Sequence, residues 1–549
     1  MRCTREQIGF FADAANHREL LVLGYEGTLM QDMDLPATAP AETENAQWTS
    51  GLSLEPWLES ASLDLHRRSS VEHSGAGWER IDLCAWFNAL RSRLSGILTQ
   101  IILDRPDLTE HQIAHQFPVL SALLNDAIAE WVDAVAVFLH RLHNDASGVA
   151  TWLGYQKLPE LVSLSPSSAD LHDGGHTALR LIFQDRSCIY YKPRPVTGEW
   201  LWDRLVHAVN GHSSLQLPSA PVLAGKDGQY GWIMSLPPHE KLQDWNKNSA
   251  EARRYWEAAG ATLCLAEHVR MTDLHMANLM ATPSGPGLFD TETLGTPQTF
   301  SATPPAQKAN VPFAATMHDL LDTGLLPRPT SSELPDTSGL FGKPASVPQI
   351  MIPRWSSRPD GTRRVEMAPA ALLDQGNAPH PASPLEVLPL LVSGYREAAT
   401  ALMRCRESLV APDSAWRSAL QHHAPRIILR NTLTYGLLLS RSLQPGPLNS
   451  APARKEALLR ALREWGHPSL PPPVVRAETE TLLRLHVPRF IGLAGSRTLA
   501  GKSGLPLAPR FLSCSPAEAV LRKLGAMTPD RLNEVQVPSL LAAVFGRSC

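Results

Sequence analysis

Three things are scarce in this sequence, and each scarcity excludes a class of protein. No segment reaches the roughly 18 apolar residues of a membrane span, and the N-terminus lacks the apolar core of a secretory signal. The 7 cysteines are scattered without a Cys-x-x-Cys pair, which argues against a disulfide framework or a thiolate zinc site. A formal charge of -4 provides no positive field that would attract nucleic acid. We therefore expect a cytoplasmic protein, suited to a peptide partner and not to nucleic acid.

The length of 549 residues predicts roughly three compact units. Helical periodicity between 78 and 145 indicates a mostly helical supporting or activation domain over 1–150, although the Pro-rich stretch from 20 to 75 favours irregular chain. A β-rich small lobe is expected over 151–245. A helical large lobe with catalytic and metal-binding loops follows over 246–549 and includes a Pro/Gly-rich loop region at 295–385.

A change of pattern near residue 170 predicts a β-hairpin. Apolar and polar residues alternate from Leu179 to Phe183 and again from Ile189 to Tyr191, on either side of a short polar turn. The second strand ends at Lys192. A lysine at this place in a small lobe is suited to neutralise phosphate groups.

A group of residues that can carry chemistry follows a predicted amphipathic helix. Asp273, His275 and Asn278 precede a short apolar run, after which come Asp290 and Glu292. Phosphoryl transfer needs one group to deprotonate the attacking hydroxyl and amide or carboxylate ligands for magnesium. Protein kinases supply them as Asp-Leu-x-x-x-Asn and, about a dozen residues later, a metal-binding Asp. This segment has the same order and spacing, and with the hairpin lysine it predicts an ATP-using, kinase-type site.

Further motifs in a fixed order make the sequence resemble the dehydratase half of class II lanthipeptide synthetases (the LanM type), whose fold is similar to that of lipid kinases. The resemblance spans roughly residues 78–549 and rests on Asp170-x-His172 with Gly175, Tyr191-Lys192-Pro193-Arg194, Tyr230-Gly231-Trp232, Arg254-Tyr255 leading to Gly260, Thr272 to Asn278, Asp290 to Leu294, Arg426 to Tyr435, and Val487-Pro488-Arg489-Phe490. It implies an α+β fold: a lipid-kinase-like bilobal catalytic core with a helical N-terminal domain and a helical C-terminal extension.

The resemblance implies that Ser or Thr residues of a leader-bearing precursor peptide are phosphorylated with ATP and Mg²⁺ and then lose phosphate, giving dehydroalanine or dehydrobutyrine. The residues implied in phosphoryl transfer are Lys192, Asp273, His275, Asn278 and Asp290. Those implied in elimination are Asp170, His172, Arg426 and Thr432. Arg194 and Gly175 are further nucleotide-binding candidates, and Glu292 is a further metal candidate. Because Arg426 and Thr432 are six residues apart, a helix would need a break near Asn431 to bring them together.

Two positions differ from the family pattern: His176 stands where an Arg usually follows the glycine, and Met234 stands where a Glu usually occurs. No Cys-His set of the kind that holds the cyclase zinc of this family is present, so we expect any ring formation to need a separate enzyme, alongside an export transporter. Two alternatives stay open. The first alternative is a peptide Ser/Thr kinase without elimination, and the second is a scaffold that binds the leader peptide.

Overall fold

Helices and small sheets together build the chain, as the α+β expectation requires. The computed structural model describes residues 47–50, 54–72, 81–105, 108–166, 174–238, 249–299, 311–328, 336–343, 345–357, 363–372, 382–464 and 470–545. Among these described residues, no helix is both long and apolar enough to cross a membrane.

Four helices are described in the N-terminal region, within residues 54–72, 81–105 and 108–166, and they pack around the longest of them. They are α1 (Glu55–Glu72), α2 (Cys84–Asp104), α3 (Glu110–Gln116) and α4 (Pro118–Trp152). The helical prediction for 78–145 is confirmed where the structure describes this range, from 81 to 105 and from 108 onward. The expectation of irregular chain up to 75 is wrong for α1, because Leu58, Ala61 and Leu65 recur at helical spacing and are buried against the other helices.

A five-stranded antiparallel sheet follows, in the spatial order β2-β3-β4-β6-β5. Its strands are β2 (Leu161–Pro166), β3 (Leu179–Phe183), β4 (Cys188–Lys192), β5 (Val222–Ala224) and β6 (Gly231–Met234). The predicted hairpin ending at Lys192 is therefore confirmed. Between β4 and β5 lies α5 (Thr197–Asn210), the helix expected near 198–210.

One face of this sheet packs against α4. Phe138 of α4 meets the ring of Tyr191 with centroids 5.2 Å apart, and Nε1 of Trp232 donates to Asp145 at 2.9 Å. Side chains alternate between the two faces of a strand. Because Tyr191 faces the helices, its neighbour Lys192 projects from the opposite face. The packing of Tyr191 and Trp232 against α4 thus fixes the orientation of the sheet and the face from which Lys192 projects.

The region from α6 onward is built around two closely packed helices, α6 (Ala250–His268) and α8 (Pro384–Val410). Ser249 caps α6 as predicted, with its side chain accepting from the backbone N of Ala252. A Cβ on Gly260 would come within 2.0 Å of the Leu391 carbonyl oxygen, so only glycine permits this helix contact. The other elements are β7 (Leu279–Thr282), β8 (Gly285–Leu288), α7 (Val311–Asp322) and α9 (Ala415–His422).

The expectation of a loop region over 295–385 is wrong in part. Besides α7, this range contains β9 (Ala345–Ser357) and β10 (Arg363–Leu372), two long strands that form a sheet with β1 (Gln47–Ser50) in the order β1-β10-β9. Proline content favoured a loop, but Pro369 lies at a register shift of the β9–β10 pair, where the ladder is already interrupted. The buried Val365 ties this sheet to the N-terminal helices.

The C-terminal region is less helical than the sequence suggested. A four-stranded antiparallel sheet is formed by β11 (Arg426–Ile427), β12 (Phe490–Gly492), β13 (Leu499–Gly501) and β14 (Pro506–Ala508). The helices are α10 (Thr432–Ser442), α11 (Pro445–Leu448), α12 (Ala451–Glu464), α13 (Pro472–Leu483), α14 (Pro516–Gly525), α15 (Pro529–Arg531) and α16 (Val537–Phe545). The pairing of β11 with β12 brings two distant segments to one place.

Candidate active site

Lys192, the last residue of β4, reaches a carboxylate on the helix that follows. Its Nζ lies 3.0 Å from Oε1 of Glu199 and 2.6 Å from the carbonyl oxygen of Phe289. Burial alone would raise the pKa of Glu199, but the charges of Arg194 and Lys192 outweigh it and lower the pKa to about 2. Glu199 is therefore ionised. Protein kinases use a lysine–glutamate pair of this kind to present the lysine to phosphates.

Arg194 connects this pair to the loop that carries Asp290. Its Nη2 lies 2.7 Å from Oε1 of Glu199 and 2.6 Å from Oδ1 of Asp290. The Nζ of Lys192 lies 3.6 Å from the same Asp290 oxygen. Burial acts to lower the pKa of Arg194, but the charges of Asp290 and Glu199 outweigh it and raise the pKa above its usual value. Lys192 and Arg194 of one predicted motif thus meet Asp290 of another.

Asp273 and His275 lie together in the loop between α6 and β7. Asp273 adopts a φ of 65°, a left-handed conformation that is uncommon outside glycine, and its Oδ1 lies 3.8 Å from Nε2 of His275. A Cβ on Gly339 would come within 2.2 Å of the Leu274 carbonyl oxygen. The close approach of this neighbouring segment holds the loop in its strained shape, a feature that concentrates at functional sites.

The hairpin of β7 and β8 places Asn278 beside Asp290. The backbone N of Phe289 donates to the carbonyl oxygen of Asn278 at 2.9 Å. The side-chain Nδ2 of Asn278 donates to the Asp273 carbonyl oxygen at 2.9 Å, which directs the amide nitrogen away and leaves Oδ1 for another group. About a third of the Asp290 side chain is exposed. An amide oxygen and a carboxylate are ligands that magnesium prefers, so the donor set fits the expected metal.

Glu292 accepts hydrogen bonds from two arginines and forms an ion pair with a third. Its Oε1 lies 2.8 Å from Nη1 of Arg426, and its Oε2 lies 2.9 Å from Nη2 of Arg489 and 3.2 Å from Nε of Arg194. Both carboxylate oxygens are thus occupied by guanidinium groups. This arrangement favours Glu292 as an anchor for the arginines over the predicted role of metal ligand, which stays a prediction. We call the seven residues joined here the Glu292 cluster: Lys192, Arg194, Glu199, Asp290, Glu292, Arg426 and Arg489.

The break expected near Asn431 is present. Arg426 lies in β11, whereas Thr432 is the first residue of α10, and the side chain of Asn431 caps that helix by accepting from the backbone N of Thr434 at 2.7 Å. Arg426 therefore joins the Glu292 cluster directly. Thr432 is buried, and its hydroxyl has no hydrogen-bond partner among the described residues.

The remaining predicted residues precede β3. Asp170 and His172 fall outside the described residues. Gly175 has a φ of 73°, and a Cβ there would lie 3.2 Å from Cβ of Glu130 and 3.3 Å from Nη1 of Arg93. This glycine therefore packs against the N-terminal helices, and its predicted contact with a nucleotide stays a prediction.

A second charged group lies beside Gly175 and connects to the Glu292 cluster along the chain. Glu130 accepts from Nη2 of Arg93 at 2.6 Å and lies 3.0 Å from Nε2 of His486. His486 precedes Arg489 by three residues. One short segment therefore contacts the N-terminal helices at one end and Glu292 at the other.

Three residues of this region were not predicted. Glu199 was detectable, because a carboxylate in the first turn after the lysine strand is where a kinase-type pair would place it. Arg489 is 197 residues from Glu292, and no local pattern reveals such a contact. His423 is buried, and its Nε2 has no hydrogen-bond partner among the described residues. Burial lowers the pKa of His423 to about 4 in spite of the nearby charge of Glu199.

Comparison with known proteins identifies the family. Residues 117–492 match the family described as "Domain of unknown function (DUF4135)", and the chain belongs to that family. It is also 22% identical over 442 residues to the lacticin 481/lactococcin biosynthesis protein LcnDR2 of Lactococcus lactis subsp. lactis, a match that covers 77% of this chain and 45% of the relative. The chain thus matches less than half of that protein. The resemblance to LanM-type synthetases is confirmed.

Proposed function

We propose that this chain is a lanthipeptide-type dehydratase, which phosphorylates Ser or Thr of a precursor peptide with ATP and then eliminates phosphate. One observation carries the proposal: the lysine–glutamate pair and Asp290, which suit phosphoryl transfer, share a single cluster with Arg426, which suits elimination. The similarity to a lanthipeptide biosynthesis protein supports a peptide substrate. Use of ATP suits the cytoplasm.

In the first step, Asp273 accepts the proton of the Ser or Thr hydroxyl while the hydroxyl oxygen attacks the γ-phosphorus of ATP. The bond between that phosphorus and the β,γ-bridging oxygen breaks, and ADP leaves with the bonding electrons. His275 lies close enough to orient that carboxylate. Lys192, fixed by Glu199, neutralises the phosphates, and Asn278 and Asp290 would hold magnesium. Magnesium would supply charge neutralisation at the phosphate oxygens. These roles follow the division of labour in kinases.

In the second step, a base removes the α-proton of the phosphorylated residue. The electrons of the Cα–H bond form the Cα=Cβ double bond, the Cβ–O bond breaks, and phosphate departs with the bonding electrons. Positive charge near the departing oxygens lowers this barrier, and a placed base contributes roughly 10²- to 10⁴-fold. Arg426 is the cation for this step, and the buried Thr432 hydroxyl is a donor. Asp170 and His172 are the proposed bases.

The test is mass spectrometry of the small peptide encoded beside this gene, after incubation with the purified chain, ATP and magnesium. Loss of about 18 Da per modified residue, which is the mass of one water molecule, supports the dehydratase. Arg426→Ala should instead accumulate phosphopeptide, and Asp290→Asn should leave the peptide unchanged. Full dehydration by Asp290→Asn would sink the assignment.

Gain of phosphate without loss of water would leave a peptide kinase. An unmodified peptide together with no binding of magnesium-ATP in a calorimetric titration would favour the leader-binding scaffold. The paired Lys192 and Glu199 lie beside Asp290 and argue against the scaffold, since kinases use a lysine–glutamate pair next to a metal-binding carboxylate to hold phosphates.

A further inference from the structure

The sequence predicted a role for three of the four cations in the Glu292 cluster, Lys192, Arg194 and Arg426. It predicted none for the fourth, Arg489. About an eighth of its side chain is exposed, and burial lowers the pKa of its guanidinium in spite of the charge of Glu292. Its Nη2 donates to Glu292 at 2.9 Å, while its Nε is buried without a hydrogen-bond partner among the described residues. A buried guanidinium with an unused donor is costly unless another anion binds it.

The strands place Arg489 next to Arg426. In the antiparallel pair of β11 and β12, Arg426 lies opposite Ile491 and Ile427 lies opposite Phe490, the residue that follows Arg489. Both arginines direct their guanidinium groups at the same carboxylate, on different oxygens. Two guanidinium groups held side by side by a sheet form a fork that matches the oxygens of a phosphate.

The charges of the cluster leave room for an anion. Four cations, Lys192, Arg194, Arg426 and Arg489, face three carboxylates, those of Glu199, Asp290 and Glu292. A divalent cation at Asp290, as proposed above, would increase this positive excess. Arg489 shares Glu292, the carboxylate that it contacts, with Arg426 and Arg194.

We propose that Arg489 is a phosphate-binding residue, which with Arg426 holds the phosphoryl group of the modified peptide and the phosphate that it releases. The inference rests on the proposed function and adds to it a binding residue and a place for the leaving group. In the absence of the phosphoryl group, Glu292 occupies that fork. Glu292 is therefore a competitor of phosphate as well as an anchor.

The two roles of Glu292 predict opposite results for two variants. Binding of inorganic phosphate to the full chain, in the presence of magnesium and ADP, is measured by calorimetry. Arg489→Met should weaken phosphate binding by about 10-fold or more, the loss expected for a hydrogen bond to a charged group, and Arg489→Lys should weaken it less. Glu292→Gln should tighten phosphate binding, because it removes the competing charge. Arg441→Met, at an exposed arginine paired with Glu464, is the matched control and should bind as the unaltered chain does.

A purely structural role for Arg489 gives a different pattern. In that case Arg489→Met leaves phosphate binding unchanged, or Glu292→Gln weakens it, and either result overturns the proposal. Absence of saturable phosphate binding by the unaltered chain also overturns it. Magnesium-ATP affinity should be the same for Arg489→Met and the unaltered chain; a parallel loss would assign Arg489 to the nucleotide and contradict the inference. Thermal unfolding of each variant verifies that it is folded.

The inference and the proposed function can fail separately. If the unaltered chain dehydrates its peptide while Arg489→Met binds phosphate normally, the function stands and the inference falls. If phosphate binding depends on Arg489 but the peptide only gains phosphate, the binding residue stands and elimination falls.

Discussion

Among the buried ionic groups of the described residues, the Glu292 cluster and one other group differ in a way that separates a candidate active site from a structural support. The second group, which we call the Glu267 network, consists of Glu267, Arg270, Asp319, Tyr395 and Lys523, with His268 and Gln536 at its edge. Lys523 lies 2.8 Å from Glu267 and 2.6 Å from Asp319, which in turn pairs with Arg270. Two cations face two carboxylates, so its charges balance.

The Glu292 cluster has an excess of positive charge, and an unused donor of Arg489 lies within it. A closed, balanced network can contribute to stability, whereas a cluster with surplus charge is unfavourable until a ligand binds. Loss of one charge should therefore have different consequences in the two places. It should reduce activity in the Glu292 cluster and reduce stability in the Glu267 network. Lys192 and the half-buried Lys523, each of which pairs with two carboxylates, provide a matched test.

The largest expected effect is that of Lys192→Met. Removal of a charge aimed at the transferred phosphoryl group should slow peptide phosphorylation by about 10³-fold, as loss of a transition-state donor does in other enzymes. The free energy of unfolding should change little, because Glu199 keeps Arg194 as a partner. Phosphate incorporation and denaturant unfolding are measured on the same preparation. Lys226→Met, at an exposed lysine between β5 and β6, is the control. Retention of full activity by Lys192→Met would contradict the assignment.

Lys523→Met should show the reverse. Two carboxylates, those of Glu267 and Asp319, would lose a shared cation, and breaking a buried pair costs about 3 to 5 kcal/mol. Denaturant unfolding measures this loss. Arg522→Met removes the neighbouring cation of an exposed pair with Glu518, and it should change the free energy of unfolding by less than about 1 kcal/mol. Equal stability of the two variants would show that the Glu267 network is not a structural support.

The sequence revealed the parts of the site that are encoded locally. Lys192 follows from the strand pattern, and Asp273, Asn278 and Asp290 follow from their spacing, because a loop and a hairpin of fixed length place them together. The break at Asn431 was also predictable, since a helix could not align Arg426 with Thr432. What the sequence does not contain is the partner of each cation. Arg489 reaches Glu292 only because β12 pairs with β11, a contact between distant segments.

The fold shows the same limit. The helix α6 and the β3–β4 hairpin were predicted from periodicity, because each buries one face. The long β9–β10 hairpin was missed, because proline and glycine favour loops locally while strand pairing depends on a partner elsewhere in the chain. The helix α1 was missed for a related reason: its polar residues outnumber the few that it buries.

His423 should make stability depend on pH at the edge of the Glu292 cluster. It faces Glu199, Arg194 and Arg489, and burial lowers its pKa from 6.5 to about 4. Below pH 6.5 the unfolded chain takes up a proton that the folded chain refuses until about pH 4. Stability is thus full above pH 6.5 and falls as the pH decreases, by roughly 3 kcal/mol at pH 4.

His423→Asn should remove this part of the pH dependence, because asparagine does not titrate. The free energy of unfolding is measured from pH 7 to pH 4 for the unaltered chain, for His423→Asn and for His422→Asn, whose histidine is exposed. A pH dependence that is the same in all three would show that the buried ring is not the titrating group.

The smallest expected effect is that of Glu130→Gln. This variant tests whether the contact of Glu130 beside Gly175 helps the candidate active site, like the Glu292 cluster, or only supports the fold, like the Glu267 network. Glu130 pairs with Arg93 and His486, and the loss of its charge should cost about 1 to 2 kcal/mol of stability. Because His486 lies three residues from Arg489, the change should also disturb the fork at Glu292 slightly. A double-mutant cycle of Glu130→Gln with Arg489→Met, measured on the dehydration rate, should give a coupling of about 0.5 to 1 kcal/mol. Strictly additive effects would make the contact a structural support like the Glu267 network, whereas coupling would show that the N-terminal helices help to position the candidate active site.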